Sequence, residues 1–292
     1  IPRSILPEVV PSSGRLTTVG GNFFSGRAIP ITGMCGDQQS SLFGQCCFDP
    51  GMIKITYGTG AFLLVNIGET PLIVHDGILT TIAWQLEGEI NYALEGSVFS
   101  AGATVQWIRD QIGLIKESSD IERLASDVNN NGGVYLVPAF NGLGAPHWDP
   151  QARASIQGLT SGSNKGHIAR AALESIAYQC EDVIQSMGRS VENTSKVRVD
   201  GGASANNLLM QFQSDISHIE IERSSSVEST SLGAAYLAGL GAGFWADKDE
   251  IREIWKGSGL FSPTIDEKKR NALKSDWLKA ISRSKRWAID AG

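Results

Sequence analysis

Histidine, cysteine and long apolar runs are scarce in this chain, and each scarcity removes a class of function. The four histidines, His75, His147, His167 and His218, are scattered and never paired at a ligand spacing, which argues against a histidine metal site. The four cysteines, Cys35, Cys46, Cys47 and Cys180, match no zinc pattern. Adjacent Cys46 and Cys47 cannot bridge each other without strain, so buried, reduced thiols of a cytoplasmic protein are expected. No apolar run approaches membrane-spanning length. The opening Ile1-Pro2-Arg3-Ser4 lacks the charged and apolar regions of a signal peptide, and its lack of Met is consistent with a piece of a longer chain. A long basic stretch occurs only toward the C-terminus. With a net charge of −6, that argues against nucleic acid or an anionic membrane as the main partner.

What is present is a globular composition: 292 residues, 41% hydrophobic and 19% charged, enough for one large or two ordinary domains. Residues 1–30, rich in Pro, Gly and Ser, read as an irregular tail. A short helix is expected over 38–48, and two strands over 52–67 around a Gly-Thr-Gly turn. A hairpin is expected over 79–94, turning at Glu87-Gly88. From Ala101 the apolar period becomes helical, with Val105, Ile108 and Ile112 on one face. Helices are expected over 101–115, 121–128, 167–187, 206–216, 231–241, 247–255 and 267–289. Strands are expected over 134–137, 197–200 and 219–221. The C-terminal helix carries Leu273, Trp277, Ile281 and Trp287. Strands alternating with helices imply a layered α/β fold.

Three turns carry candidate chemistry. Asp37 lies in Gly36-Asp37-Gln38-Gln39 ahead of a helix, and two readings are open: an N-cap, or a base taking the proton of an alcohol while Gln38 orients the same groups. Gly58-Thr59-Gly60 reads as a tight hairpin tip or as a phosphate loop whose N–H groups converge on an anion. Asp200-Gly201-Gly202-Ala203 ends a Val-rich strand and opens a helix, which suits simple packing or a ligand lying against backbone. Lys54 and Arg153 read as phosphate contacts or as ordinary surface or structural charges. Glu95 and Glu174 read as capping or internally paired carboxylates. Phe62 and Trp148 read as core or as walls of a small polyol pocket.

These turns occur in order with Asn91-Tyr92-Ala93-Leu94-Glu95-Gly96, with Pro138-Ala139-Phe140, with Gly142-Leu143-Gly144-Ala145-Pro146, and with His167-Ile168 followed by Ala171-Ala172-Leu173-Glu174. Together they resemble the FGGY carbohydrate kinases, over nearly the whole chain. Phe62, and Asn206-Asn207 followed by Leu209-Met210-Gln211-Phe212-Gln213-Ser214-Asp215, resemble the members that phosphorylate glycerol. Other sugar kinases of the family, acting on xylulose or gluconate, and a non-catalytic actin-like nucleotide-binding module are the alternatives.

The resemblance implies an actin-like ATPase (ribonuclease H-like) α/β fold, a mixed sheet flanked by helices. It also implies transfer of a phosphoryl group from MgATP to glycerol, giving sn-glycerol 3-phosphate and ADP. It makes Asp37 the base, a glycerol ligand and the carboxylate beside Mg²⁺, with Gln38 and Phe62 as further glycerol contacts. Thr59, Gly102, Gln106, Gly202 and Asn206 fall where the family contacts ATP. Residues 1–48 correspond to the end of an N-terminal domain that is otherwise missing, 49–245 to the C-terminal ATP-binding domain, and 246–292 to a helical extension. Dimers or tetramers are common in the family, and neither nucleic acid nor a membrane span is expected. The family's first phosphate loop, Mg²⁺-linked Asp and glycerol-gripping Arg-Glu pair have no counterpart here. In members inhibited by fructose 1,6-bisphosphate a Gly and an Arg bind the sugar phosphate. Gly26 matches, but Ala28 stands in place of the Arg and Arg27 is one place off.

Overall fold

Alternating apolar residues in the middle of the chain build a central sheet, and the segments around it supply helices that cover both faces. A computed structural model gives the structure, which describes residues 2–21, 24–74, 77–188 and 196–288. In chain order the first elements are β1 (Ser13–Val19), β2 (Ile29–Gly33), α1 (Asp37–Gly44), β3 (Met52–Tyr57), β4 (Ala61–Gly68), β5 (Leu79–Leu86) and β6 (Glu89–Val98). Next come α2 (Gly102–Asp110), α3 (Asp120–Ser126), β7 (Tyr135–Val137), β8 (Ser155–Gln157), α4 (Lys165–Gly188), β9 (Lys196–Asp200) and α5 (Asn207–Ser217). The last are β10 (Ile221–Ser224), α6 (Ser229–Ala242), α7 (Lys248–Ile254), β11 (Gly257–Phe261) and α8 (Glu267–Ser284).

Seven strands form the main sheet in the order β11-β10-β9-β3-β4-β6-β5. The junction of β3 with β9, and of β9 with β10, is parallel; the remaining neighbours are antiparallel. The expected hairpin is present and turns through Glu87 and Gly88, whose φ values of 49° and 90° suit a two-residue reversal.

Period-2 alternation assigns the two faces. Ile53, Ile55 and Tyr57 of β3, with Leu63 and Val65 of β4 and Val197 and Val199 of β9, point into a large core shared with α2, α4 and α5. Met52 and Leu64 point the other way, into a second core with Leu42, Phe43 and Trp84, closed by Tyr236 and Leu237 of α6. The C-terminal helix α8 is pinned to the first core by Trp277, whose ring stacks on Tyr178 at 5.0 Å and whose indole N–H donates to Asp182 at 2.8 Å.

Four expectations are corrected. Ser13–Val19 and Ile29–Gly33 are paired antiparallel strands rather than irregular: Ser13 and Thr32 each donate a hydroxyl to a backbone carbonyl of α6, at Leu237 and Ala238 (2.7 and 2.8 Å). The short strands β8 and β11 were not expected, and the strand expected at 219–221 starts at Ile221. Helix α2 ends at Asp110, which leaves Ile112 46% exposed rather than on a buried face. Trp287 lies beyond α8 and is 71% exposed, and Ile289 falls outside the described residues.

Candidate functional site

Two of the glycine-rich turns meet at one end of the sheet. The tip Gly58-Thr59-Gly60 joins β3 to β4, and the Gly58 and Thr59 carbonyls accept from the first N–H groups of the α2 segment. Gly102 N–H donates to Gly58 and Ala103 N–H to Thr59, at 2.9 and 3.0 Å. Beside it, the turn after β9 runs through Gly201 into the helical turn Gly202–Ala205. Gly201 has φ 83°, and a Cβ there would stand 2.5 Å from the Tyr57 carbonyl oxygen, so only glycine lets β9 leave the sheet at this point. Asn206 caps α5, its side-chain oxygen accepting from Leu209 N–H at 2.8 Å, and Glu122 of α3 accepts from Leu208 N–H at 3.1 Å.

Between these elements lies a cavity of about 460 Å³. Thr59, Gly102, Gln106, Gly202 and Asn206 all line it, although they span nearly 150 residues of chain. Apolar walls come from Val105, Ile121, Leu173 and Leu209, and polar groups from Ser118, Ser119 and Glu122. Sequence reasoning missed Ser118, Ser119 and Glu122, because they come from a polar loop and a short helix without a motif. A cavity with apolar walls and two glycine-rich turns in its lining suits a nucleotide, with its base between the apolar walls and its phosphates at the glycine turns.

Asp37, Gln38 and Phe62 do not line that cavity; Phe62 starts β4 just after the Gly58-Thr59-Gly60 tip, and Gln38 of α1 accepts from Lys54 of β3. Strand register puts Phe62 opposite Thr56, Leu64 opposite Lys54, and Glu95 opposite Leu64. These residues therefore share the face on which α1 packs. Phe62 is 38% exposed at the start of β4, as a pocket wall requires. Asp37 is exposed at the first position of α1. It is not the N-cap, which is Gly36. Its carboxylate accepts from the Gln38 backbone N–H at 2.8 Å and from the Gln38 side-chain amide at 3.3 Å.

Of the readings open for Lys54, the structural one holds. It is a fully buried cation and donates to Gln38 Oε1 and to Thr56 Oγ1, the latter at 3.1 Å. Burial drives its pKa down to about 8, against the pull of Asp200, Glu95 and Asp37. Burial likewise raises Asp200 and Glu95, with Lys54 opposing in both cases. A lysine between two isoleucines was the signal available in the sequence.

Trp148 is 52% exposed with φ 43° and meets Phe99 edge-on at 6.3 Å; it belongs to neither core. Glu174 is internally paired, accepting from Arg170 at 2.7 Å, and Arg153 holds the carbonyls of Pro150 and Ala152. Burial pushes Cys46 and Cys47 up to about 12, so both are inert thiols at neutral pH. Gly26, Arg27 and Ala28 are exposed between β1 and β2. Among the described residues no group of three or more His, Cys, Asp or Glu could hold a metal ion, and no helix is long and apolar enough to cross a membrane.

Residues 53–242 match the model of the FGGY family of carbohydrate kinases, C-terminal domain. The chain belongs to the FGGY family of carbohydrate kinases. It is 54% identical over 291 residues to glycerol kinase of Carboxydothermus hydrogenoformans and 52% identical over 289 residues to that of Trichlorobacter lovleyi. In each case 99% of this chain is covered but 58% of the relative, so this FGGY chain spans little more than half the length of the curated relatives it matches. The crystal structure of Plasmodium falciparum glycerol kinase with ADP superposes with a TM-score of 0.91 at 40% identity, covering 96% of this chain and 56% of that one. Xylulose kinase of Lactobacillus acidophilus (TM-score 0.76, 21% identity, covering 89% and 52%) shares the fold. The mixed sheet flanked by helices is thus the actin-like ATPase fold expected of the family.

Proposed function

We propose that this chain is the ATP-binding portion, together with the catalytic base, of an enzyme that transfers a phosphoryl group from ATP to glycerol, giving sn-glycerol 3-phosphate and ADP. The observation that carries the reading is the one cavity lined by Thr59, Gly102, Gln106, Gly202 and Asn206, with Asp37 exposed at the start of the helix that packs on the opposite face of the same sheet. The glycerol kinases at 50% identity and above, and the ADP in the Plasmodium relative, favour glycerol and an adenine nucleotide over other sugar kinases.

In this reading ATP lies with its base between Ile121 and Leu209 and its phosphates against the two glycine turns. Asp37 accepts the hydroxyl proton as the glycerol oxygen attacks the γ-phosphate, while Gln38 and Phe62 orient the polyol. Mg²⁺ accompanying ATP would neutralise phosphate charge, and the exposed carboxylate of Asp37 would be the residue to hold it.

Residues 1–48 close the preceding domain, 49–245 form the nucleotide domain and 246–292 extend it. The isolated chain supplies one wall of the site and turns over little, because proximity and preorganised charge need both walls. The test is ADP release by the full-length enzyme with glycerol, xylulose, ribulose and gluconate. Glycerol is expected to be preferred; preference for another polyol overturns the substrate assignment.

A further inference from the structure

One buried cation has no part in the steps above. Lys54 stands in the middle of β3 between Ile53 and Ile55, with no exposed surface. Burying an ammonium costs several kcal/mol unless partners offset it, roughly the scale of the desolvation penalty for any single ion in a protein interior. An apolar residue in this strand would avoid that cost, so the charge calls for an account.

Its two acceptors supply one. Gln38 Oε1 belongs to the residue that donates both its backbone N–H and its side-chain amide to Asp37. Thr56 Oγ1 lies 3.1 Å from Ser41 Oγ, which lies 2.8 Å from Ser229 Oγ, and Ser229 in turn donates to Asp200. Asp200 is the residue that opens the Gly201-Gly202 turn beside the nucleotide cavity. A continuous run of side chains therefore joins the Asp37 turn to the nucleotide turn, with Lys54 as its one cation. The charged groups facing Lys54 are Asp37 of α1, Glu95 of β6 and Asp200 of β9. Arg198, its register partner on β9, is turned toward Glu222 and the carbonyls of Gln45 and Cys46.

We propose that Lys54 is a positioning residue for phosphoryl transfer: by clamping Gln38 against Thr56 it fixes the Asp37 carboxylate relative to the phosphate end of the nucleotide cavity. The inference rests on the reading of Asp37 as the base. Lys54 touches neither substrate, so its loss acts on the chemical step and leaves nucleotide binding intact.

The experiment compares Lys54→Met, Thr56→Val and the double variant in the full-length enzyme, by steady-state turnover of glycerol and ATP and by thermal unfolding. For Lys54→Met the expected result is a fall in kcat of about 30-fold or more with the KM for ATP within about 3-fold. Thr56→Val, nearly isosteric, serves if Lys54→Met does not fold; it is expected to lower kcat by about 5-fold with the same unchanged KM. The double variant is expected to be no slower than Lys54→Met, because both changes release the same clamp. Unchanged kcat in either single variant overturns the proposal. So does a loss in which nucleotide affinity and unfolding temperature fall together with kcat, since that is what a purely structural lysine would give. If the unsubstituted full-length enzyme phosphorylates no polyol, the functional reading fails and this inference with it. If it phosphorylates glycerol and Lys54→Met does so equally well, only the inference fails.

Discussion

The ammonium of Lys54 donates to the side-chain oxygen of Gln38, tying the middle of β3 to the first turn of α1. The bond spans two elements that carry different halves of the candidate chemistry. It also places a charge where the surroundings disfavour it, and that has a pH signature.

Folding lowers the Lys54 pKa from 10.5 to about 8. The unfolded chain therefore binds this proton more tightly, and the buried charge destabilises the fold fully at pH values below 8. That destabilisation is relieved as pH rises from about 8 toward 10.5. The unsubstituted chain should gain stability relative to Lys54→Met between neutral pH and pH near 10, by about 2 kcal/mol. Urea unfolding of the two chains across that range checks this; a gap that does not change with pH contradicts it.

The neighbouring glycines of the nucleotide turn should separate stability from binding. Gly201→Ala forces a side chain into φ 83° and against the Tyr57 backbone, and should cost about 2 kcal/mol or more in unfolding measurements. A Cβ at Gly202 meets nothing within 4 Å and faces the cavity. Gly202→Ala should leave stability within about 0.5 kcal/mol while weakening ADP binding about 10-fold, read by calorimetric titration. Equal stability losses in the two variants would contradict the geometry.

Phe62 shares a sheet face with Asp37 and not with the nucleotide cavity. Phe62→Ala in the full-length enzyme should raise the KM for glycerol about 10-fold and leave the KM for ATP within about 2-fold. A matching rise in both would place Phe62 in general packing rather than at the polyol.

Much of this was legible in the sequence because the informative turns are local. Gly58-Thr59-Gly60 and Gly201-Gly202 advertise tight backbone wherever they occur, and the alternation in 52–67 and 79–98 is strong. The elements that sequence reasoning missed depend on distant partners. The β1–β2 strand pair is held by α6 through hydroxyls of Ser13 and Thr32, more than 200 residues away in sequence. The glycine-rich edge strand β11 exists through its pairing with β10, and β8 through its pairing with β7. Ile112 had the right period but followed a helix that ended early, because period describes a face only while the helix lasts. Lys54 between two isoleucines was open to a surface or a structural reading, and only the packing of α1 against its face of the sheet decides for the structural one.

The central claim, that the Asp37 carboxylate takes the proton of the attacking alcohol, is tested most directly by Asp37→Asn in the full-length enzyme. The variant keeps the size of the side chain and removes the base. Turnover with glycerol and saturating ATP should fall about 1,000-fold while ATP binding stays within about 3-fold. Turnover within about 3-fold of the unsubstituted enzyme would show that the proton goes elsewhere and would contradict the account.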